Sequence, residues 1–135
     1  MFIGFTSHSY AQSIEDTILG TWLNTEGTAQ IEIMKSGNEY LGKIIALEVE
    51  KEGGDLVTDT NNSDPELQKR PLKGLTILEG LNYKKGAWEG GTIYDPESGK
   101  TYSCEVKLKN DKILEVKGYI GFSWVGRTVE WTRIN

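Results

Sequence analysis

The sequence predicts an all-β protein, an antiparallel and mainly up-and-down β-barrel of about eight strands with one short helical excursion. Three observations predict it. Short segments with apolar residues at alternate positions recur along the chain, joined by turns of hairpin length. Helix signal is almost absent. The two ends carry Gly20-Thr21-Trp22 and Trp131-Thr132-Arg133. If these ends meet, the sheet closes and loses the unpaired edges that invite aggregation. The Arg133 guanidinium is then expected to stack on the Trp22 indole and donate to loop carbonyls, sealing one end of the barrel.

The elements follow in order. Ser13, Asp16 and Ile18-Leu19 read as an N-capped helical turn, too short to be more than a plug or lead-in. From Leu19 the period switches to two, with Trp22 and Asn24 on one face of the first strand. Ile31 and Ile33 mark the second strand, after a turn at Glu26-Gly27. Ser36-Gly37-Asn38 turns the chain into a third strand, Glu39 to Glu50. Residues 51–64 are polar enough to be a loop by composition. Asp64-Pro65-Glu66 then supplies an N-cap, a proline at the first helical position and an acid, opening a short helix that Pro71 ends. Strands follow at Gly74–Tyr83, Trp88–Tyr94, Thr101–Leu108, Lys112–Ile120 and Arg127–Ile134. Gly90-Gly91 is placed to bend or bulge its strand at a barrel corner, and Asp95-Pro96-Glu97-Ser98-Gly99 is a hairpin turn.

The chain of 135 residues is one domain, and sixteen glycines against three prolines suit a fold of many tight turns. The net charge of −5 has its Lys and Arg scattered among the acids. That argues against nucleic acid as a partner, which needs a concentrated basic face. No stretch of 18 apolar residues occurs, so the chain is not expected to span a membrane. Residues 1–11 read as the remnant of a signal peptide, an apolar run followed by Ser9-Tyr10-Ala11 with small residues suited to a cut after Ala11. Residues 12–135 are then the barrel domain, and the expected location is periplasmic or secreted.

Catalytic and metal chemistry find little support. With only His8, in the segment expected to be removed, Ser-His-Asp and Cys-His arrangements fail, and zinc lacks ligands. Cys104 lies in the strand pattern Tyr102, Cys104, Val106, Leu108 and reads as an inert core thiol. Asp59 to Ser63 alternates oxygen ligands like a calcium loop, but Asp64 replaces the turn glycine and Arg70 stands where a bidentate Glu belongs. No enzyme activity, metal or cofactor is expected. The aromatics Trp88, Tyr94, Tyr102, Tyr119, Phe122, Trp124 and Trp131 crowd the C-terminal half, on strands or at their ends. They are either core and rim packing or the lining of a cavity. Arg70, Lys100 and Arg127 are the candidate anion-binding groups, with salt bridging as the alternative.

Several strings resemble one bacterial exported family, known as domain of unknown function 2147. They are Leu41-Gly42-Lys43-Ile44; Asp64-Pro65-Glu66-Leu67 with Arg70-Pro71-Leu72-Lys73-Gly74-Leu75; Trp88 through Pro96; Gly99-Lys100-Thr101-Tyr102-Ser103; Gly118-Tyr119-Ile120-Gly121; and Gly126-Arg127-Thr128 with Trp131-Thr132-Arg133. The resemblance runs from about Leu19 to Arg133. It implies a short secreted or periplasmic protein, and it carries over no catalytic residue. Gly20, Trp22 and Arg133 are also similar to the calycin pattern of lipocalins and fatty-acid-binding proteins, which implies a barrel of that kind. The expected function is non-enzymatic binding of a small hydrophobic or amphipathic ligand at the barrel mouth. Trp88, Tyr94, Tyr102, Tyr119 and Trp124 would give apolar contact and Arg127 would meet a polar head. The alternative is a filled barrel serving as an envelope protein- or glycan-interaction module through Phe122, Trp124 or the 51–64 loop. Interior volume separates the two, since a ligand site needs about 300 Å3 or more.

Overall fold

Eight strands hydrogen-bond in a closed ring, each beside its neighbour in the chain, in the computed structural model, which describes residues 13–119 and 126–135. A 3-10 turn over Ile14–Asp16 precedes β1 (Gly20–Leu23), β2 (Ala29–Ser36) and β3 (Glu39–Leu47). A small separate hairpin, β4 (Lys51–Glu52) with β5 (Asp55–Leu56), and a 3-10 turn at Leu67–Lys69 interrupt the meander. It resumes as β6 (Thr76–Lys84), β7 (Ala87–Asp95), β8 (Lys100–Asn110), β9 (Ile113–Tyr119) and β10 (Gly126–Arg133). The ring order is β1-β10-β9-β8-β7-β6-β3-β2, and every pairing is antiparallel.

The ends of the chain meet as the sequence requires. Trp22 faces Arg133 and Leu23 faces Thr132 across the β1–β10 seam. The Arg133 guanidinium lies 4.3 Å from the Trp22 ring and donates to the carbonyls of Thr17, Leu19 and Asp111. The predicted bulge is also present, with the β7–β8 register shifting between Trp88 and Gly91. The corner is tight. A Cβ on Gly91 would collide with the Glu79 carbonyl oxygen, so β6 and β7 approach there only because this residue has no side chain.

Two expectations need correction. The polar stretch 51–64 is not all loop, because residues 51–56 pair as the β4–β5 hairpin. The helix expected over residues 65–70 shrinks to one 3-10 turn. The Arg70 backbone has already turned extended, as a residue before proline prefers.

The core is uneven along the barrel axis. At one end the large side chains Trp22, Tyr40, Leu78, Leu81, Trp88 and Leu114 are buried to 2% exposure or less. The polar atoms of the three aromatics all reach the N-terminal segment. Trp22 Nε1 donates to the Ile18 carbonyl (2.9 Å), Trp88 Nε1 to the Glu15 carbonyl (3.0 Å), and the Tyr40 hydroxyl to Asp16 Oδ1 (2.6 Å). Each ring thus fills the core while its one polar atom finds an acceptor. Lys35 pairs with Glu15 and Asp16 from outside. The short N-terminal segment is therefore a plug, held by donors from five different strands, β10 included through Arg133. The expected signal segment, residues 1–11, lies outside the described residues.

Candidate functional site

The opposite end of the barrel is hollow. A cavity of about 640 Å3 opens there, well above the size needed for a small ligand. Its wall takes apolar residues from six strands, Ile31, Ile44, Ile77, Ile93, Val116 and Trp131 among them, while β8 adds Tyr102. The space exists because the inward positions toward this end carry small or mid-sized residues, Ala29, Gly118 and Val129 among them, while the indoles of Trp22 and Trp88 occupy the plugged end.

Over the mouth runs a strap, residues 57–72, between β5 and β6. Its two limbs are joined by a bridge between Thr58 and Pro71 and by backbone bonds from Asp59 to Arg70 and from Leu72 to Val57. A buried carboxylate ties it to the barrel. Asp59, 1% exposed, accepts from the Tyr94 hydroxyl on β7 (2.7 Å), from Arg70 Nε (3.0 Å) and from Asn62 Nδ2 (3.0 Å). Arg70 also lies 5.4 Å from the Tyr94 ring. Burial, and then the bond to Asp59, raises the Tyr94 hydroxyl above its ordinary pKa, so it stays a donor throughout the physiological range. Farther along, Asn61 Nδ2 donates to the carbonyls of Pro96 and Glu97 in the β7–β8 turn. Gly99 lies beneath this contact with φ +72°, and a Cβ there would overlap the Asn61 carbonyl. Turn geometry and strap seating both demand that glycine.

The sequence-predicted site residues divide. Tyr94, Tyr102 and Arg127 line the cavity together. Trp88 does not belong to the mouth. β7 runs from the plugged end to the open end, and six residues of strand at about 3.3 Å each put Trp88 roughly 20 Å from Tyr94. Its indole instead completes the plug through Glu15. Tyr119 is not among the lining residues either. Leu114, Val116 and Gly118 take the inward positions of β9, so the pleat turns Tyr119 outward. Trp124 and Phe122 lie outside the described residues. Of the candidate anion-binding groups, Arg70 is engaged with Asp59, while Lys100 is absent from the lining. Cys104 is fully buried, and burial pushes its thiol up to about 12, which makes it an unreactive member of the core rather than a cavity residue.

Sequence reasoning missed the strap latch and the aliphatic wall. Asp59 read as one acid in a polar loop, and the wall residues read as ordinary core. The usable signal for the latch was Arg70 directly before Pro71, at the point where the excursion returns to the sheet. Among the described residues, no group of three or more His, Cys, Asp and Glu is placed to hold a metal, and no helix is long and apolar enough to cross a membrane.

A meander closed by a Trp–Arg seam, plugged at one end and hollow at the other, defines a lipocalin-like barrel. Over residues 20–133 the chain matches the family described as uncharacterised protein conserved in bacteria (DUF2147), and it belongs to that family. Among solved structures it is similar to protein HP1028 from the human pathogen Helicobacter pylori, which is described as belonging to the lipocalin family. The two share 24% identity and a TM-score of 0.74 over 87% of this chain and 83% of that one. At that identity the likeness is one of fold. No curated protein matches the chain significantly.

Proposed function

We propose that this protein is an exported, non-catalytic carrier that holds a small hydrophobic or amphipathic molecule in the open end of its barrel. The cavity of about 640 Å3 carries this reading. Its depth is apolar and its rim holds a few polar groups, the arrangement that buries a tail and leaves a head near water. Tyr94, Tyr102 and Arg127 are the rim residues assigned to the head region, and Ile31, Ile44, Ile77 and Val116 those assigned to the tail. The fixed strap supports a preformed site, since its latch residues bond to one another without help from a ligand.

Native mass spectrometry of the mature protein, purified gently from the exported fraction of its own host, tests both halves. Extra mass removable by solvent extraction, on a chain cut after Ala11, is the expected result. A bare mass that also takes up no apolar probe would overturn the carrier reading, and an uncut chain confined to the cytoplasm would overturn export.

A further inference from the structure

The polar groups around the cavity are lopsided in charge. Among the described residues, four acidic residues line it, Glu26 in the β1–β2 turn, Glu48 after β3, and Asp95 and Glu97 at the β7–β8 turn, against one basic residue, Arg127. None of the four forms an ion pair among the described residues. The available pairs involve Lys35, Lys69, Arg70, Lys73, Lys107 and Lys109 with other acids. Lys100 stands opposite Asp95 in the β7–β8 register, yet it neither lines the cavity nor bridges to that carboxylate. Glu48 lies beside the β1–β2 turn, its amide bonded to the Thr28 carbonyl, and Asp95 and Glu97 share the β7–β8 turn, so the acids flank the opening from two opposite sides. A cleft lined by one sign of charge over low-dielectric walls concentrates counter-ions of the opposite sign.

The aromatic residues of the lining point the same way. Tyr102 borders the cavity at its rim, whereas Tyr94 already has the Arg70 guanidinium over its ring and Trp131 belongs to the deeper wall. Electron-rich ring faces attract ammonium groups, quaternary ones included. An anionic head would meet one basic residue and four repelling acidic ones. A cationic head meets four attracting acidic residues and the Tyr102 ring.

Resting on the carrier reading, we infer that the ligand is a cationic amphiphile, an alkyl chain ending in an ammonium group, and that the rim selects against anionic lipids of equal chain length. Arg127 then limits affinity for the head rather than creating it, which reverses the role expected of it from the sequence.

Isothermal titration of the mature protein with dodecyltrimethylammonium, dodecyl sulfate and a neutral dodecyl oligoethylene glycol ether, all below micelle formation, tests this. The ammonium probe is expected to bind roughly ten-fold tighter than either other probe at low salt, about the effect of one to two water-exposed charge contacts. The preference should collapse in roughly 1 M salt, where the screening length is about 3 Å. It should also collapse in Glu26→Gln/Glu48→Gln/Glu97→Gln, which spares Asp95 because that carboxylate accepts from the Glu97 amide. Arg127→Ala should raise ammonium affinity two- to three-fold. Equal or tighter binding of the sulfate or neutral probe would overturn the inference and leave the carrier standing. Binding of none of the three would overturn the carrier as well.

Discussion

Replacing Arg133 by alanine tests barrel closure directly. The β1–β10 seam is short: two register pairs, Trp22 with Arg133 and Leu23 with Thr132, are extended by backbone bonds between Thr21 and residues Ile134 and Asn135, and side chains add to them. Arg133 supplies a stack on the Trp22 indole at 4.3 Å and bonds to three carbonyls. A stack of this kind is worth about 1 kcal/mol at a partly exposed site. The bonds to Thr17 and Leu19 are partly buried, and each should contribute about 1 kcal/mol net, whereas water replaces the exposed bond to Asp111 at little cost. The sum is a loss of about 3 kcal/mol. Arg133→Lys keeps the charge but not the planar fork, and should lose about half as much. Urea unfolding followed by tryptophan fluorescence and by circular dichroism reads both, with the midpoint moving while the slope stays constant. A shift under about 0.5 kcal/mol for Arg133→Ala would refute the argument that this residue holds the ends together.

Three further outcomes follow from the geometry. Asp59→Ala leaves Arg70 Nε and the Tyr94 hydroxyl without their acceptor, while Asn62 Nδ2 keeps its second bond, to the Tyr94 hydroxyl. Because Arg70 keeps a third of its side chain exposed, the cost should be about 2 kcal/mol rather than that of a fully buried pair. Hydrogen exchange should show it as lost protection at the Asp59 and Leu72 amides, and a cycle with Tyr94→Phe should give about 1 kcal/mol of coupling. Unchanged protection there would count against the latch. Gly91→Ala forces a methyl against the Glu79 carbonyl and should destabilise by about 2–3 kcal/mol. At Gly118 the nearest atom to a new Cβ is 3.5 Å away, so alanine should stay within about 0.5 kcal/mol of the parent, and equal melting temperatures would contradict the difference. Alkaline pH is the last. Burial, and then the bond to Asp16, pushes the Tyr40 hydroxyl up to about 12, and Tyr94 is raised in the same direction. Folded values above the ordinary 10 favour the neutral phenols, so this stabilisation is complete below pH 10 and disappears as pH climbs toward 12. Tyr40→Phe should flatten that decline in a pH series of urea midpoints; an unaltered slope would show that Tyr40 is not its source.

What the sequence made legible was what depends on local pattern. Alternation gave the strands, Gly90-Gly91 gave the corner, and Trp22 with Arg133 gave the closure, because that pair stands at the two ends of an alternating chain. Of the residues the sequence suggested for the mouth, Tyr94, Tyr102 and Arg127 line the cavity, each near a strand end on the open side. Trp88 and Tyr119 failed for reasons of simple geometry, strand direction for one and pleat parity for the other. Both could have been counted off once the turns were placed. The Asp59 latch was a different matter. Its partners Tyr94 and Arg70 are 35 and 11 residues away, and no short-range spacing announces a carboxylate buried by a loop that folds back. The hollow interior was equally hidden, since isoleucine and valine facing a cavity look the same in a sequence as isoleucine and valine facing each other.

The seam also governs when the molecule can fold. The bonds from Arg133 to Leu19 and Thr17 span 114 and 116 residues. β1 has β2 on one side and only β10 on the other, so a growing chain that lacks its last strand exposes two sheet edges at once. The plug is similarly spread, joining residues 15–19 to strands that end with the final one. Contacts this distant must overcome loop entropy before they stabilise anything, which places such barrels among slow folders. No half of this barrel is a folding unit. The chain stays open to chaperones, or to mispairing with another copy, until its final strand arrives.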